Sequence, residues 1–156
     1  MTTEPTTDPG LSLAVDHYFT APPEAVFDAY TDAEKQRIWF SILDDTPGIV
    51  RIDVDLCVGG VQTAAWGADA DSLFRETQTF LEIDRPHRLV TESTGVMPDG
   101  TSMTTRVEVS FAANGSGTVM TVRQSGFSTE GVRDFFAESA WDGAFARLDA
   151  FLERSA

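Results

Sequence analysis

Leu11, Leu13, Val15 and Phe19 alternate with Ser12, Asp16 and Thr20, so this stretch reads as a strand with one buried face. Ala21-Pro22-Pro23 ends it. A proline suits the first turn of a helix, because the N–H it lacks has no intrahelical partner there. Val26, Phe27 and Tyr30 then recur at helical spacing within Glu24 to Tyr30. Thr31 or Asp32 caps a second short helix carrying Ile38, Trp39 and Phe40, and Asp44, Asp45, Pro47 and Gly48 form a loop.

From Val50 the period changes to two. Val50, Ile52, Val54, Leu56 and Val58 alternate with Arg51, Asp53, Asp55 and Cys57, which predicts a strand reaching Gly59-Gly60, a tight turn. Further strands are predicted over Val61–Trp66, Leu73–Ile83 and Arg88–Thr94, then through Met103, Thr105, Val107, Val109 and Phe111, and over Thr118–Gln124. The turns between them are marked by Asp84-Arg85-Pro86-His87, Pro98-Asp99-Gly100 and Asn114-Gly115-Ser116-Gly117. Short hairpin links imply an antiparallel sheet.

Ser128 to Arg154 reads as one long helix, with Ser128 or Thr129 at its N-cap and Glu130 in the first turn. Trp141, Phe145, Leu148 and Leu152 make an apolar stripe that the sheet must cover. Val132, Phe135 and Phe136 fall about half a turn from that stripe at ~100° per residue. Either the helix bends or its first turn packs on nearby loops, or Phe135 and Phe136 cover a cavity mouth or meet a partner. Packing against residues 42–49 or against a second copy in a homodimer would bury at least one of them.

The fold class that follows is α+β: a curved antiparallel sheet around a long C-terminal helix, with two short helices after the first strand. The 156 residues suit one domain over residues 11–156, with a threonine- and proline-rich disordered tail at residues 1–10 that lacks the features of a signal peptide. No run approaches the ~20 apolar residues of a membrane span. Cys57 is the lone cysteine, which points to the cytoplasm and excludes an internal disulfide. A formal net charge of -14, with one lysine, argues against nucleic acid and anionic membranes as partners.

Catalytic groups are few. His17 shares the parity of Val15 and Phe19 and is the one weak catalytic candidate; a structural histidine bonded to a carboxylate or to backbone is the competing reading. His87 sits in a turn and is expected in solvent. No metal-ligand spacing, dinucleotide fingerprint or phosphate loop is present, so no metal and no cofactor is expected. Cys57 has no histidine beside it to activate it. Trp39, Phe40, Trp66, Met120, Trp141 and Phe145 are the candidate ligand-binding residues, since rings and a pliant thioether suit an apolar pocket wall. Each could equally fill the core.

An ordered set of residues resembles a known superfamily. Ala21-Pro22-Pro23-Glu24, Val26-Phe27, Thr31-Asp32, Trp39, Gly59-Gly60, Arg88-Leu89-Val90, Arg123-Gln124-Ser125-Gly126-Phe127 and Trp141 with Leu148 and Leu152 are similar to START-like (SRPBCC) helix-grip proteins. Within these the chain resembles bacterial proteins similar to the C-terminal domain of the heat-shock protein 90 ATPase activator homologue. The resemblance implies a hydrophobic cavity between sheet and helix, and relatives include lipid carriers, hormone-binding proteins and polyketide cyclases. Where many bacterial relatives carry a double tryptophan and Gly-Pro, this chain has Trp39-Phe40-Ser41. The leading expectation is a binding protein for a small hydrophobic or aromatic molecule rather than an enzyme. A polyketide cyclase or aromatase-like enzyme is the alternative. A chaperone partner ranks last, because the activator carries a separate N-terminal domain for which this length leaves no room.

Overall fold

The computed structural model describes residues 11–42 and 48–155. The expected tail at residues 1–10 and most of the expected Asp44–Gly48 loop lie outside them. The elements are β1 (Ser12–Phe19), α1 (Pro23–Thr31), α2 (Ala33–Trp39), β2 (Ile49–Val54), β3 (Val61–Gly67), β4 (Phe74–Asp84), β5 (Arg88–Val96), β6 (Ser102–Asn114), β7 (Gly117–Ser125), α3 (Glu130–Phe135) and α4 (Trp141–Ser155). The seven strands form one antiparallel sheet in the order β1-β7-β6-β5-β4-β3-β2. The two short helices carry the chain from one edge strand, β1, to the other, β2. The meander then returns strand by strand until β7 pairs with β1. This is a helix-grip-like α+β fold, as the sequence predicts.

Local chemistry explains the joins. Pro23 opens α1, and Asp32 caps α2 by accepting from the Lys35 N–H at 3.1 Å. Trp39 Nε1 donates to the Ala29 carbonyl at 2.8 Å, which locks α2 onto α1. Arg85 grips Asp28 through two bonds of 2.9 and 2.8 Å, tying α1 to the β4–β5 turn and holding the Asp28 carboxyl below its ordinary pKa.

Two predicted features differ. The strand expected to run through Val58 ends at Val54, and Leu56 and Val58 are exposed in the turn. The turn folds onto β4 instead: the Gly59 N–H donates to the Phe80 carbonyl at 2.8 Å, and the Phe80 N–H to Gly60 at 3.0 Å. A side chain at Gly60 would collide with the Asp55 carbonyl, so only glycine permits this approach. Gly59 adopts φ 85°, the left-handed conformation that the tight turn requires.

The second difference settles the half-turn offset in the last helix. Thr129 is its N-cap, accepting from the Val132 N–H at 3.1 Å. Residues Phe136–Ala140 form a π-helical turn between α3 and α4, and the Trp141 N–H reaches back to the Phe136 carbonyl. The residue inserted by such a turn rotates the preceding segment by roughly 100°. Phe136 then packs on Phe127 with ring centroids 5.3 Å apart, while Phe135 is left 60% exposed. Phe127, in the link between β7 and α3, is thus the residue that half-buries Phe136. Leu43–Pro47, within the loop at 42–49 expected to do so, lie outside the described residues.

The core lies between the concave face of the sheet and the helices. Phe19, Val26, Phe27, Phe80, Leu89, Val107, Val109, Phe111, Met120 and Val122 meet Phe145, Leu148 and Phe151 of α4. Burial of such side chains contributes about 1.5–3 kcal/mol each.

Candidate functional site

The register puts an unexpected set of residues on this concave face. Gln62 of β3 pairs with Gln78 of β4, Gln78 with Ser93 of β5, and Ser93 with Thr105 of β6. Paired residues share a face, so four polar side chains cross four strands in one row, inside the fold. Gln62, Ser93 and Thr105 are buried, and so is Gln124 of β7, which donates to Thr105 Oγ1 at 2.8 Å. Such groups are tolerated only when paired, and these are. Gln62 exchanges two amide bonds with Gln36 of α2, at 3.1 and 3.0 Å.

One row further toward the β5–β6 hairpin, Glu76 sits between Ala64 and Gly95. Its carboxyl accepts from Gln78 Nε2 and from the Ser93 hydroxyl, both at 3.1 Å. The Gln78 carbonyl in turn accepts from Thr91 at 2.8 Å, which fixes the direction of the amide. No ion pair reaches Glu76 among the described residues, and burial pushes its pKa above the ordinary value. Tyr30 of α1 packs on Phe111 and Trp141, with ring centroids 6.2 and 6.5 Å away. Burial, and then the nearby Glu76 charge, push the phenol pKa up. Tyr30 and Glu76 are both half-buried. A Cβ built at Gly95, directly across from Glu76, would meet nothing within 4 Å.

The six aromatic and thioether candidates divide. Met120, Phe145 and Trp39 are buried in the packed core. Phe40, Trp66 and Trp141 are half-buried and keep a free edge. Phe40 lies between Trp39 and Trp66, with centroids at 4.9 and 5.4 Å, and Trp66 stacks on Phe74 at 6.0 Å. The Trp66–Phe74 pair is the next one along from Ala64–Glu76, so these rings flank the carboxyl on the same face. Trp141 stacks on Tyr30 at 6.5 Å and donates through Nε1 to Gln124 Oε1 at 2.8 Å.

His17 does face inward. Its ring stacks on Phe145 at 5.1 Å and meets the edge of Phe19 at 4.7 Å, while Nε2 is bonded to Asp149 Oδ2 of α4 at 2.6 Å. This bond ties β1 to α4. His17→Gln is expected to lower stability by about 1–2 kcal/mol in urea melts, through the lost stacking and the lost bond. The substitution is expected to leave the affinity for small apolar probes unchanged.

His87 is exposed in its turn. Cys57 is exposed too, and its hydrogen bond to Asp55 pushes the thiol pKa up, against a nucleophilic role. No cluster of three or more metal-ligating side chains occurs among the described residues. No helix among them is long and apolar enough to cross a membrane.

Tyr30, Glu76 and the polar row were not among the candidate site residues read from the sequence. A signal for them exists in β4, where Phe74, Glu76, Gln78 and Phe80 share one parity, so two polar residues stand between inward phenylalanines.

Comparison with known proteins agrees with this architecture. The family described as "Activator of Hsp90 ATPase homolog 1-like protein" matches residues 20–153. Among solved structures, the chain is similar to a protein from Rhizobium leguminosarum, with a TM-score of 0.75, 23% identity, and 92% of this chain and 94% of that one covered. It is similar to protein Ms6760 from Mycobacterium smegmatis, with a TM-score of 0.73, 18% identity and 99% of each chain covered. It is also similar to DynU16, a protein of the dynemicin biosynthetic locus, with a TM-score of 0.71, 18% identity, and 93% of this chain and 48% of that one covered. At these identities the likeness is one of fold. Among proteins with curated descriptions, none matches the sequence.

Proposed function

The chain belongs to the activator of Hsp90 ATPase homolog 1-like family, and on that premise we propose that it binds a small hydrophobic or aromatic molecule between the sheet and the C-terminal helix. The observation that carries this reading is the space at Gly95. Gly95 lies near the end of β5, on the face that carries Thr91 and Ser93. The position is left open, beside half-buried rings and a row of oriented polar groups. A few placed polar groups in an otherwise apolar lining are the usual composition of a small-molecule site.

The test is a titration of the intact protein with a neutral fluorescent apolar probe such as N-phenyl-1-naphthylamine. Saturable binding is expected, weakened about tenfold or more by Gly95→Leu, which fills the space with a side chain of four carbons. The β conformation at Gly95 accepts leucine without strain, so the melting temperature is expected to hold. Absence of saturable binding would overturn the reading, as would a Gly95→Leu variant that binds like wild type.

An enzyme of cyclase or aromatase type is the second reading. It draws on Glu76, an ionisable group across from Gly95, and on the similarity in fold to a protein of a biosynthetic locus. A chaperone partner rests on the family's description alone.

A further inference from the structure

We propose that Glu76 anchors the ammonium group of a hydrophobic amine, whose apolar body lies against Trp66 and Phe74. The inference rests on the binding reading above and names the class of ligand that the same site takes.

Among the described residues five carboxylates are half-buried: Asp28, Asp32, Glu76, Glu108 and Asp149. Four of them have a basic partner: Asp28 pairs with Arg85, Asp32 with Lys35, Glu108 with Arg88 and Arg106, and Asp149 with His17. Glu76 has none among the described residues; its bonds come from a glutamine and a serine. The rest of the chain, residues 1–10, 43–47 and 156, contains no lysine, arginine or histidine. A charge left half-buried and unpaired is costly, and a cationic ligand removes that cost.

The hydrogen bonds set Glu76 up as an acceptor. Gln78 Nε2 donates to Oε1 and the Ser93 hydroxyl to Oε2, both at 3.1 Å. Thr91 fixes the Gln78 amide from 2.8 Å. Both bonds favour the ionised carboxyl, and neither neutralises it. A carboxylate has about four acceptor positions, so about two remain for the N–H groups of a ligand.

The register leaves room beside it. The cross-strand neighbours of Glu76 are Ala64 and Gly95, so neither adjoining strand crowds the carboxyl. A Cβ at Gly95 would meet nothing within 4 Å. Trp66 and Phe74 form the next pair on the same face, stacked at 6.0 Å, and Phe40 meets Trp66 at 5.4 Å. Ring faces attract both an apolar body and a cation. A carboxylate ligand would instead meet the Glu76 charge with nothing to neutralise either.

Four naphthalenes test this by quenching of tryptophan fluorescence in the intact protein: 2-naphthylmethylammonium, 2-naphthylmethanol, 2-ethylnaphthalene and 2-naphthoate. The first three share one shape and differ only in an ammonium, hydroxyl or methyl end. Salt at about 0.15 M screens charges on the outer surface. The amine is expected to bind about tenfold tighter than 2-ethylnaphthalene, and 2-naphthoate most weakly. Glu76→Gln keeps the side chain's size and is expected to remove most of the preference for the amine, while 2-ethylnaphthalene affinity stays. Glu92→Gln removes the same charge from an exposed position on the other face of β5 and is expected to leave the preference intact. The ranking in wild type is decisive by itself should Glu76→Gln fail to fold. Equal, saturable binding of the amine and 2-ethylnaphthalene would overturn the inference and leave the binding reading standing. So would tightest binding of 2-naphthoate, or equal losses in Glu76→Gln and Glu92→Gln, which would assign the preference to net charge alone. If none of the four binds, the binding reading itself fails, and the inference with it.

Discussion

Phe145→Ala is expected to destabilise the fold by about 3–5 kcal/mol, the range for deleting a buried aromatic ring from a core that cannot close over the gap. Phe145 is 3% exposed and packs α4 onto β1. Its ring lies 5.1 Å from His17, 5.9 Å from Trp141 and 6.1 Å from Phe19. These neighbours are themselves fixed, His17 by Asp149 and Trp141 by Gln124, so they resist moving into the void. Urea denaturation of the variant measures the loss. A change under about 1 kcal/mol would show that α4 does not seal this half of the sheet in solution.

The second large effect is one of polar pairing. Gln36 and Gln62 are 1% and 8% exposed, and each amide donates to the other. Gln36→Leu should cost about 2–3 kcal/mol, because it strands the Gln62 amide in the interior next to α2. The double variant Gln36→Leu/Gln62→Leu should lie near wild type, since two apolar groups of similar size replace a satisfied pair. The expected signature in a double-mutant cycle is therefore a coupling of about 2 kcal/mol. A single variant as stable as the double would show that Gln62 finds another partner. Gln78, its neighbour across β4, is the first candidate.

These two sites show how differently the interior is built on either side of the polar row. Toward β1 and β7 the concave face is apolar and filled, from Phe19 through Met120 to Leu148. Toward β3 and β4 it is polar and ring-lined, and it contains the one inward glycine position with open space around it, Gly95, among the described glycines. The filled half anchors the long helix. The proposed site lies in the other half.

The sequence by itself determined the seven strands, the two short helices and the long C-terminal helix, and with them the family. Those features rest on local signals: alternation along a strand, helical spacing, and prolines and glycines at turns. It also placed His17 on the inward parity of β1, with Asp149 too far along the chain for any spacing rule to pair the two. Three things were decided by tertiary structure alone. Alternation continues through Leu56 and Val58, but the approach of the turn to Phe80 ends β2 at Val54. A π-helical turn shifts one hydrogen bond without changing composition, so the offset between Phe136 and Trp141 was legible and its cause was not. The site was the least legible, because both faces of β4 carry polar residues and nothing local says which row will be enclosed. Only the register, which sets Gln62, Gln78, Ser93 and Thr105 in one row and Glu76 against Gly95, brings those residues together.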